Sequence, residues 1–286
     1  MRTETFSTPG DVRLDLRLGA GEVRLETADV QETTVVLEPL RDNDASTAAV
    51  ANARVELRER GGGHEVVVDA RDRGRGIFRN AEVLVAVTCP EGTSVETKTG
   101  SADVNGRGRF GSVEAESGSG DVEFGEIAGE ARVNAASGDV QLGAVGGDAR
   151  VNTASGDVQA KSVGGDAKVN SASGDVMVRE VGGELSVNTA SGDVLVREVA
   201  GSVSVNTASG DAEIGSVGSG KVTLKSASGD LKIGIREGST LWVDARSRSG
   251  EVSSALPVSE LPPEGEGPTV ELRATTMSGD VEIVRA

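Results

Sequence analysis

Apolar and polar residues alternate in short blocks through the middle of the chain, and the blocks recur at fixed intervals. In residues 137–154, the segments SGDVQLGAV and GGDARVNTA superpose, with apolar residues at the fourth, sixth and ninth places of each. Such alternation predicts a short β-strand with one buried side, and the glycine-containing triplet before it predicts a turn. Each nine-residue half is therefore predicted to be one turn and one strand.

The two halves alternate, so the same phrase returns every eighteen residues. The aspartates in this register are Asp103, Asp121, Asp139, Asp157, Asp175, Asp193 and Asp211, and Asp230 follows after nineteen residues. A meander of hairpins gives no reason for residues to be more alike at eighteen positions than at nine, whereas a solenoid stacks residues one coil apart. The sequence predicts an all-β fold, a two-sided parallel β-solenoid with about 18 residues per coil.

Stacked columns of like residues follow from this register. One buried column is expected to contain Val133, Val151, Val169, Val187 and Val205. The asparagine after each of these valines is expected to hydrogen-bond along its own column at the ~4.8 Å strand spacing. The turn glycines are expected to adopt positive φ. The stacked aspartates should repel by ~1 kcal/mol per neighbouring pair, so backbone N–H groups or a bound cation must offset their charge.

The fixed period fails toward both ends. Residues 1–95 alternate without fixed spacing, and DNDASTAAVANARVEL predicts a short helix among them. Residues 236–286 include a stretch expected to form a loop that leaves the stack, because it holds Pro257, Pro262, Pro263 and Pro268. We predict one continuous domain with an irregular β-rich N-terminal cap region (1–95), a regular solenoid (96–235), and irregular final coils with a C-terminal cap (236–286).

The composition and charge of the chain restrict the kinds of binding partner and the cellular compartment that we expect. The formal net charge of −17 argues against nucleic acid as a partner, because the phosphate backbone is bound by clustered Lys and Arg. The start, MRTETFSTPGDVRLDL, lacks the features of a signal peptide, and no apolar run is long enough to span a membrane. We therefore expect a cytoplasmic protein without a transmembrane segment. The single Cys89 excludes an intramolecular disulfide and is expected to be a small buried residue.

Residues suited to catalysis or metal binding are scarce. His64 is the only histidine, and one Cys with one His cannot form a zinc site. Aromatic residues are nearly absent from the coils, which argues against a carbohydrate-active solenoid enzyme. The main alternative function is a cation- or ligand-binding β-roll that uses the aspartate columns, although one Asp per half-coil gives few ligands. We predict no catalytic residue, no cofactor and no dedicated metal site.

The chain resembles a known family in three stretches. These are AEVLVAVTCPEGTSVETKTGSADVNG, which precedes the tandem SGDV coils, TLWVDARSRSGEVSSALP and TTMSGDVEIVRA. They are similar to the bacterial β-strand-repeat "putative adhesin" domain-of-unknown-function family, in its actinobacterial form. The resemblance implies a β-solenoid without established enzymatic activity and offers no catalytic residue to carry over. Relatives often accompany envelope-stress membrane proteins or small transcriptional regulators, so the resemblance also implies an envelope-linked partner.

Two groups of residues are candidates for contact with a partner. The slot after the S-G-D-V valine should face outward, and it holds Gln141, Gln159, Met177, Leu195 and Glu213. Met177 and Leu195 are expected to lie ~4.8 Å apart on one face as an apolar contact, although isolated exposed apolar residues are also normal. The densest basic cluster is expected to be a solvated hairpin loop or, alternatively, a contact for an anion or acidic partner; it comprises Arg71, Arg73, Arg75 and Arg79.

The predicted function is that of a non-enzymatic β-solenoid scaffold or interaction protein. Its partner is expected to be a protein, with envelope membrane proteins as candidates, and Met177 with Leu195 is the predicted contact. A link to envelope stress or adhesion follows from the resemblance alone.

Overall fold

A computed structural model of the protein describes residues 1–71, 81–256 and 268–286. These residues form two compact units, unit 1 (Met1–Val145) and unit 2 (Gly146–Ala286). Some residues singled out in the sequence lie outside the described ranges, namely Arg73, Arg75, Arg79, Pro257, Pro262 and Pro263.

The described residues of unit 1 form β-strands and a short helix between two of them. Its elements are β1 (Arg2–Ser7), β2 (Val12–Ala28), β3 (Glu32–Pro39), α1 (Asp44–Asn52), β4 (Arg54–Arg60), β5 (Gly63–Asp69), β6 (Val83–Pro90), β7 (Ser94–Phe110), β8 (Val113–Ser117), β9 (Val122–Ile127), β10 (Ala131–Ala135) and β11 (Val140–Val145).

Unit 2 consists of short strands throughout its described residues. They are β12 (Ala149–Ser155), β13 (Val158–Val163), β14 (Ala167–Ser173), β15 (Val176–Val181), β16 (Leu185–Ser191), β17 (Val194–Val199), β18 (Val203–Ser209), β19 (Ala212–Val217), β20 (Gly220–Ser228), β21 (Leu231–Ile235), β22 (Thr240–Ser247), β23 (Val252–Ser254), β24 (Thr269–Ser278) and β25 (Val281–Arg285).

The strands of unit 2 stack in parallel with the predicted register. β14 pairs with β12 on one side and β16 on the other, so that Val169 lies opposite Val151 and Val187. β15 pairs in the same way with β13 and β17, and Val176 lies opposite Val158 and Val194. Since each pair is separated by eighteen residues, the two-sided parallel β-solenoid predicted from the sequence is confirmed.

The order of coils reverses at the end of unit 2. β24 pairs with β20 on one edge and with β22 on the other, so that Leu272 lies opposite both Val222 and Val243. β25 is placed likewise between β21 and β23. The last coil in the sequence therefore fills the space between the coil of β20 and β21 and the coil of β22 and β23.

Unit 1 contains a matching reversal at its start. The 17-residue strand β2 forms a whole coil between β7 on one edge and β5 and β6 on the other. Leu14 and Val23, nine residues apart, lie opposite Val95 and Val104 of β7. The sequence shows no fixed spacing here because the strands that cover this coil come later in the chain.

Antiparallel strands pair with β5 and β6 within unit 1. β4 pairs antiparallel with β5, β3 with β6, and β1 with β3. The predicted helix is confirmed as α1, and Asn43 caps it by accepting a 2.7 Å hydrogen bond from the Ser46 N–H. β4 carries exposed Arg and Glu side chains, and charged edge strands discourage pairing with other molecules.

The core is a stack of small aliphatic layers. In the half-coil after S-G-D, the fourth, sixth and ninth places are buried, as in Val176, Val178 and Val181. The other half-coil differs from the sequence superposition, because Ala154 at its ninth place is exposed and Thr153 at its eighth is buried. The hydroxyl of Thr153 donates to the Ser155 carbonyl at 3.1 Å, which satisfies its hydrogen-bonding group inside the coil.

The turn glycines serve two different purposes. In S-G-D turns of unit 2, φ is positive, as predicted, with values of 124° at Gly174 and 130° at Gly192. The prediction of positive φ is wrong for the G-G-D turn at Gly164 and the G-G-E turn at Gly182, where φ is not positive. There, a Cβ on Gly182 would lie 2.4 Å from the Gly164 carbonyl oxygen, so close stacking of successive coils requires the glycine.

Candidate functional site

One outward surface of unit 2, here called the contact face, combines apolar and basic side chains. It comprises the side chains at the fifth and seventh places of the half-coils that contain β13, β15 and β17, which are Gln159, Lys161, Met177, Arg179, Leu195 and Arg197. These residues flank buried places such as Val178 and Val196, so the strand alternation turns them away from the core. The exposed Glu180 and Glu198 follow the two arginines at the eighth place.

Met177 and Leu195 form an apolar pair on the contact face. They lie directly opposite each other in the parallel ladder between β15 and β17. Met177 is 44% exposed and Leu195 is half-buried. The adjacency expected from the sequence is thus present in the structure, whereas a role in partner contact stays a prediction.

Three basic residues form a second column beside this pair, here called the basic column. Lys161, Arg179 and Arg197 are exposed and occupy equivalent places in successive coils. Within the described ranges, none of the three makes a hydrogen bond or an ion pair with another side chain. Like charges at the ~4.8 Å strand spacing repel by ~1 kcal/mol per pair even in water, so a bound anionic group would relieve this repulsion.

The basic column was not predicted from the sequence, although its regular spacing is visible there. Its members lie two residues after Gln159, Met177 and Leu195 and keep the same eighteen-residue spacing. On β15 and β17, the seventh and eighth places of the half-coil are both exposed and burial resumes at the ninth place, as at Val181 after Arg179 and Glu180. Glu198, the counterpart of Glu180, is held by Arg236.

The aspartates of the S-G-D turns form a hydrogen-bonded column, here called the aspartate ladder. Oδ1 of each accepts from the backbone N–H of the next, at 2.8 Å between Asp175 and Asp193 and 2.9 Å between Asp193 and Asp211. Its members in unit 2 are Asp157, Asp175, Asp193, Asp211, Asp230 and Asp280. Backbone N–H donors therefore offset the repulsion between the stacked carboxylates. They are one of the two means predicted from the sequence, the other being a bound cation.

An asparagine column runs along the opposite sheet of unit 2. The Asn170 amide donates to Asn152 Oδ1 at 2.8 Å, and Asn188 and Asn206 continue the chain at 3.1 Å and 3.0 Å. These bonds confirm the predicted amide ladder. Because the amides bond to one another, they support the stacking of coils.

The groups best suited to chemistry belong to unit 1. Cys89 is fully buried, as predicted, and burial raises the pKa of its thiol to about 11, so the thiol stays protonated near neutral pH. His64 is half-buried on β5. Across the described ranges, no cluster of three or more His, Cys, Asp or Glu side chains is arranged to hold a metal ion.

Two surface clefts of unit 1 have mixed charge. They measure about 340 Å³ and 310 Å³ and share Arg13 and Ser94 in their linings. Arg13 is ion-paired with Glu96, and its hydrogen bond lowers the pKa of that carboxyl group. Arg132 with Glu114 lines the larger cleft. The balance of charges favours neither an anion nor a cation, so these clefts do not define a ligand class.

The described part of the chain contains no helix long and apolar enough to cross a membrane.

Solved structures of other proteins align with nearly the whole of this chain. Among solved structures, a "putative cell adhesion protein" from Clostridium sporogenes aligns over 100% of this chain and 99% of its own, with 10% identity and a TM-score of 0.30. A "putative adhesin" from Bacteroides fragilis aligns over 99% and 96%, with 10% identity and a TM-score of 0.35. One from Parabacteroides distasonis aligns over 99% and 96%, with 13% identity and a TM-score of 0.31. A search of curated proteins gave no significant match.

A family profile gives the more specific result. The profile of the Toastrack DUF4097 family matches residues 12–284 and so spans both units, from β2 to β25. The family expected from the sequence is confirmed, while its actinobacterial form stays a prediction. The chain belongs to the Toastrack DUF4097 family.

Proposed function

We propose that the protein is a non-enzymatic scaffold that binds a protein partner through the contact face of unit 2. The observation that carries this proposal is the Met177–Leu195 pair, in which Met177 is exposed and Leu195 half-buried although the solenoid buries aliphatic residues in regular layers. Such a pair gains free energy when a partner removes it from water. The neighbouring basic column adds charge that can orient the partner.

The remainder of the site supports a binding role. In the contact face, β15 and β17 are paired on both edges with strands of neighbouring coils. Surfaces of this kind keep their shape on binding, so little conformational entropy is lost. The groups closest to chemistry, Cys89 and His64, lie in unit 1, and the Cys89 thiol is protonated near neutral pH.

A capture experiment tests the proposal. Tagged wild-type protein and the double variant Met177→Gln with Leu195→Gln are cross-linked to soluble and detergent-solubilised membrane proteins of the native host. Glutamine occupies the same slot at Gln159, so the double variant retains a side chain that the fold accepts. We expect a protein captured by the wild type to fall by about tenfold or more with the double variant, as for a contact residue that dominates an interface.

Met277→Gln serves as the matched control, because Met277 is 56% exposed and lies on β24 outside the contact face. It should capture the same protein as the wild type. Equal capture by the double variant and the wild type would contradict the proposed function.

A further inference from the structure

The basic column and the aspartate ladder of unit 2 have the same repeat. Lys161, Arg179 and Arg197 follow one another at one residue per coil, and Asp175 and Asp193 do so as well. The distance between successive members is set in both columns by the spacing of paired strands, ~4.8 Å. Two columns of opposite charge on the same protein therefore match in pitch.

We propose that the basic column of one molecule binds the aspartate ladder of a second copy of this chain. The inference rests on the proposed function, because both treat the contact face as a binding surface. The inference adds that the basic column of this face binds a second copy of the chain. An extended peptide or a helix laid along the column has its own spacing of side chains. A second solenoid stays in register over several coils, because its repeat is identical.

The aspartate ladder is accessible to such a contact. Each carboxylate commits Oδ1 to a backbone N–H, and in the described structure Oδ2 of Asp175 and Asp193 has no hydrogen-bond partner. The residues before each turn are small and exposed, as at Ala172 and Ser173. A guanidinium group can therefore approach the carboxylate without meeting a bulky side chain and can donate a charge-assisted hydrogen bond.

The net charge of −17 opposes association of two copies at long range. At physiological ionic strength, however, the Debye length is about 8 Å, so charges farther apart are largely screened. The columns in direct contact then decide the sign of the interaction. Because the two surfaces differ, the contact is head-to-tail, and longer assemblies than dimers can form.

Two double variants test the two sides of this contact one at a time. Arg179→Gln with Arg197→Gln removes two charges of the basic column, and Asp175→Asn with Asp193→Asn removes two charges of the ladder. Asparagine keeps a side-chain oxygen that can accept the backbone N–H, so the turns stay bonded. Melting curves verify that both variants fold as stably as the wild type.

Sedimentation at up to about 1 mM protein near physiological salt measures self-association. We expect the wild type to associate and each double variant to bind itself about tenfold more weakly, since each loses two exposed ion pairs. An equimolar mixture of the two variants should associate again, because one intact basic column meets one intact ladder. Loss of folding cannot produce this recovery.

Several results would overturn the inference. The inference is wrong if the wild type stays monomeric over the whole concentration range, or if either double variant associates as strongly as the wild type. It is also wrong if the mixture of the two variants associates as weakly as each variant alone. A monomeric wild type would leave the proposed function standing, because the capture experiment with the Met177 and Leu195 variants detects other protein partners independently.

Discussion

Val169 shows at the level of one residue why the eighteen-residue register matters. It is 4% exposed and lies between Val151 and Val187. Val169→Asp would bury an unpaired carboxylate, so we expect the free energy of unfolding to fall by about 4 kcal/mol. Urea denaturation measures this change. The exposed neighbour Lys168 gives the control, since Lys168→Asp should change stability by less than about 0.5 kcal/mol. Equal stability of the two variants would refute the register.

Other residues show where sequence periodicity reaches its limit. The superposition of the two half-coils places Ala154 in the position of Val145, yet Ala154 is exposed and Thr153 is buried. The hydroxyl of Thr153 bonds to the backbone of its own turn, and this local bond compensates the burial of a polar residue. Hydropathy alone could not predict it, because the compensation depends on the geometry of the turn.

The aspartate ladder belongs to the scale of structural elements, because each member connects two turns. Asp175 Oδ1 accepts from the Asp193 N–H at 2.8 Å. Asp175→Ala removes the acceptor, and we expect it to lower the free energy of unfolding by about 1 kcal/mol. Asp175→Asn keeps an acceptor and relieves repulsion with its neighbours, so it should stay within about 0.5 kcal/mol of the wild type.

Equilibrium denaturation of these two variants compares the roles of charge and hydrogen bond. If Asp175→Ala were as stable as the wild type, the ladder would not contribute to stacking. If Asp175→Asn were as damaging as Asp175→Ala, the negative charge itself would be required, as for a ladder that binds cations.

The elements of the contact face were predictable to different degrees. Met177 and Leu195 were found from the sequence because an apolar residue in an outward slot stands out against glutamine in the same slot. The basic column was not found, because exposed Lys and Arg are common and only the structure shows which of them lack a partner. Arg236, for example, is also exposed but is paired with Glu198.

At the scale of the whole molecule, the regular coils could be predicted and the order of the end coils could not. Residues 12–28 and 269–285 fill positions inside their stacks, with strands from elsewhere in the chain on their outer edges. The repeat in the sequence does not indicate these positions, because the strands that stack on each other there are not neighbours in the chain. The predicted boundaries at residues 95 and 235 therefore stay predictions.

The C-terminal segment is expected to protect a sheet edge. Deletion of residues 236–286 removes β22 to β25, which leaves β20 and β21 without their partners β24 and β25. Unpaired strands are templates for another chain, so we expect the truncated protein to associate end to end. Size-exclusion chromatography with light scattering measures this. The deletion is made in the Arg179→Gln and Arg197→Gln background, which weakens association through the basic column.

The control is the same double variant at full length, which should be less associated at equal concentration. A truncated protein that stays folded and monomeric would show that the C-terminal segment is not a cap.

Site-specific photo-cross-linking tests most directly whether the contact face is the binding surface. Benzoylphenylalanine is placed at Met177 or, as a control, at Lys168, which is exposed on β14 in the other sheet of unit 2. Irradiation of the native host should then give a cross-linked protein from position 177 and little from position 168. Cross-links from position 168 without any from position 177 would contradict the account.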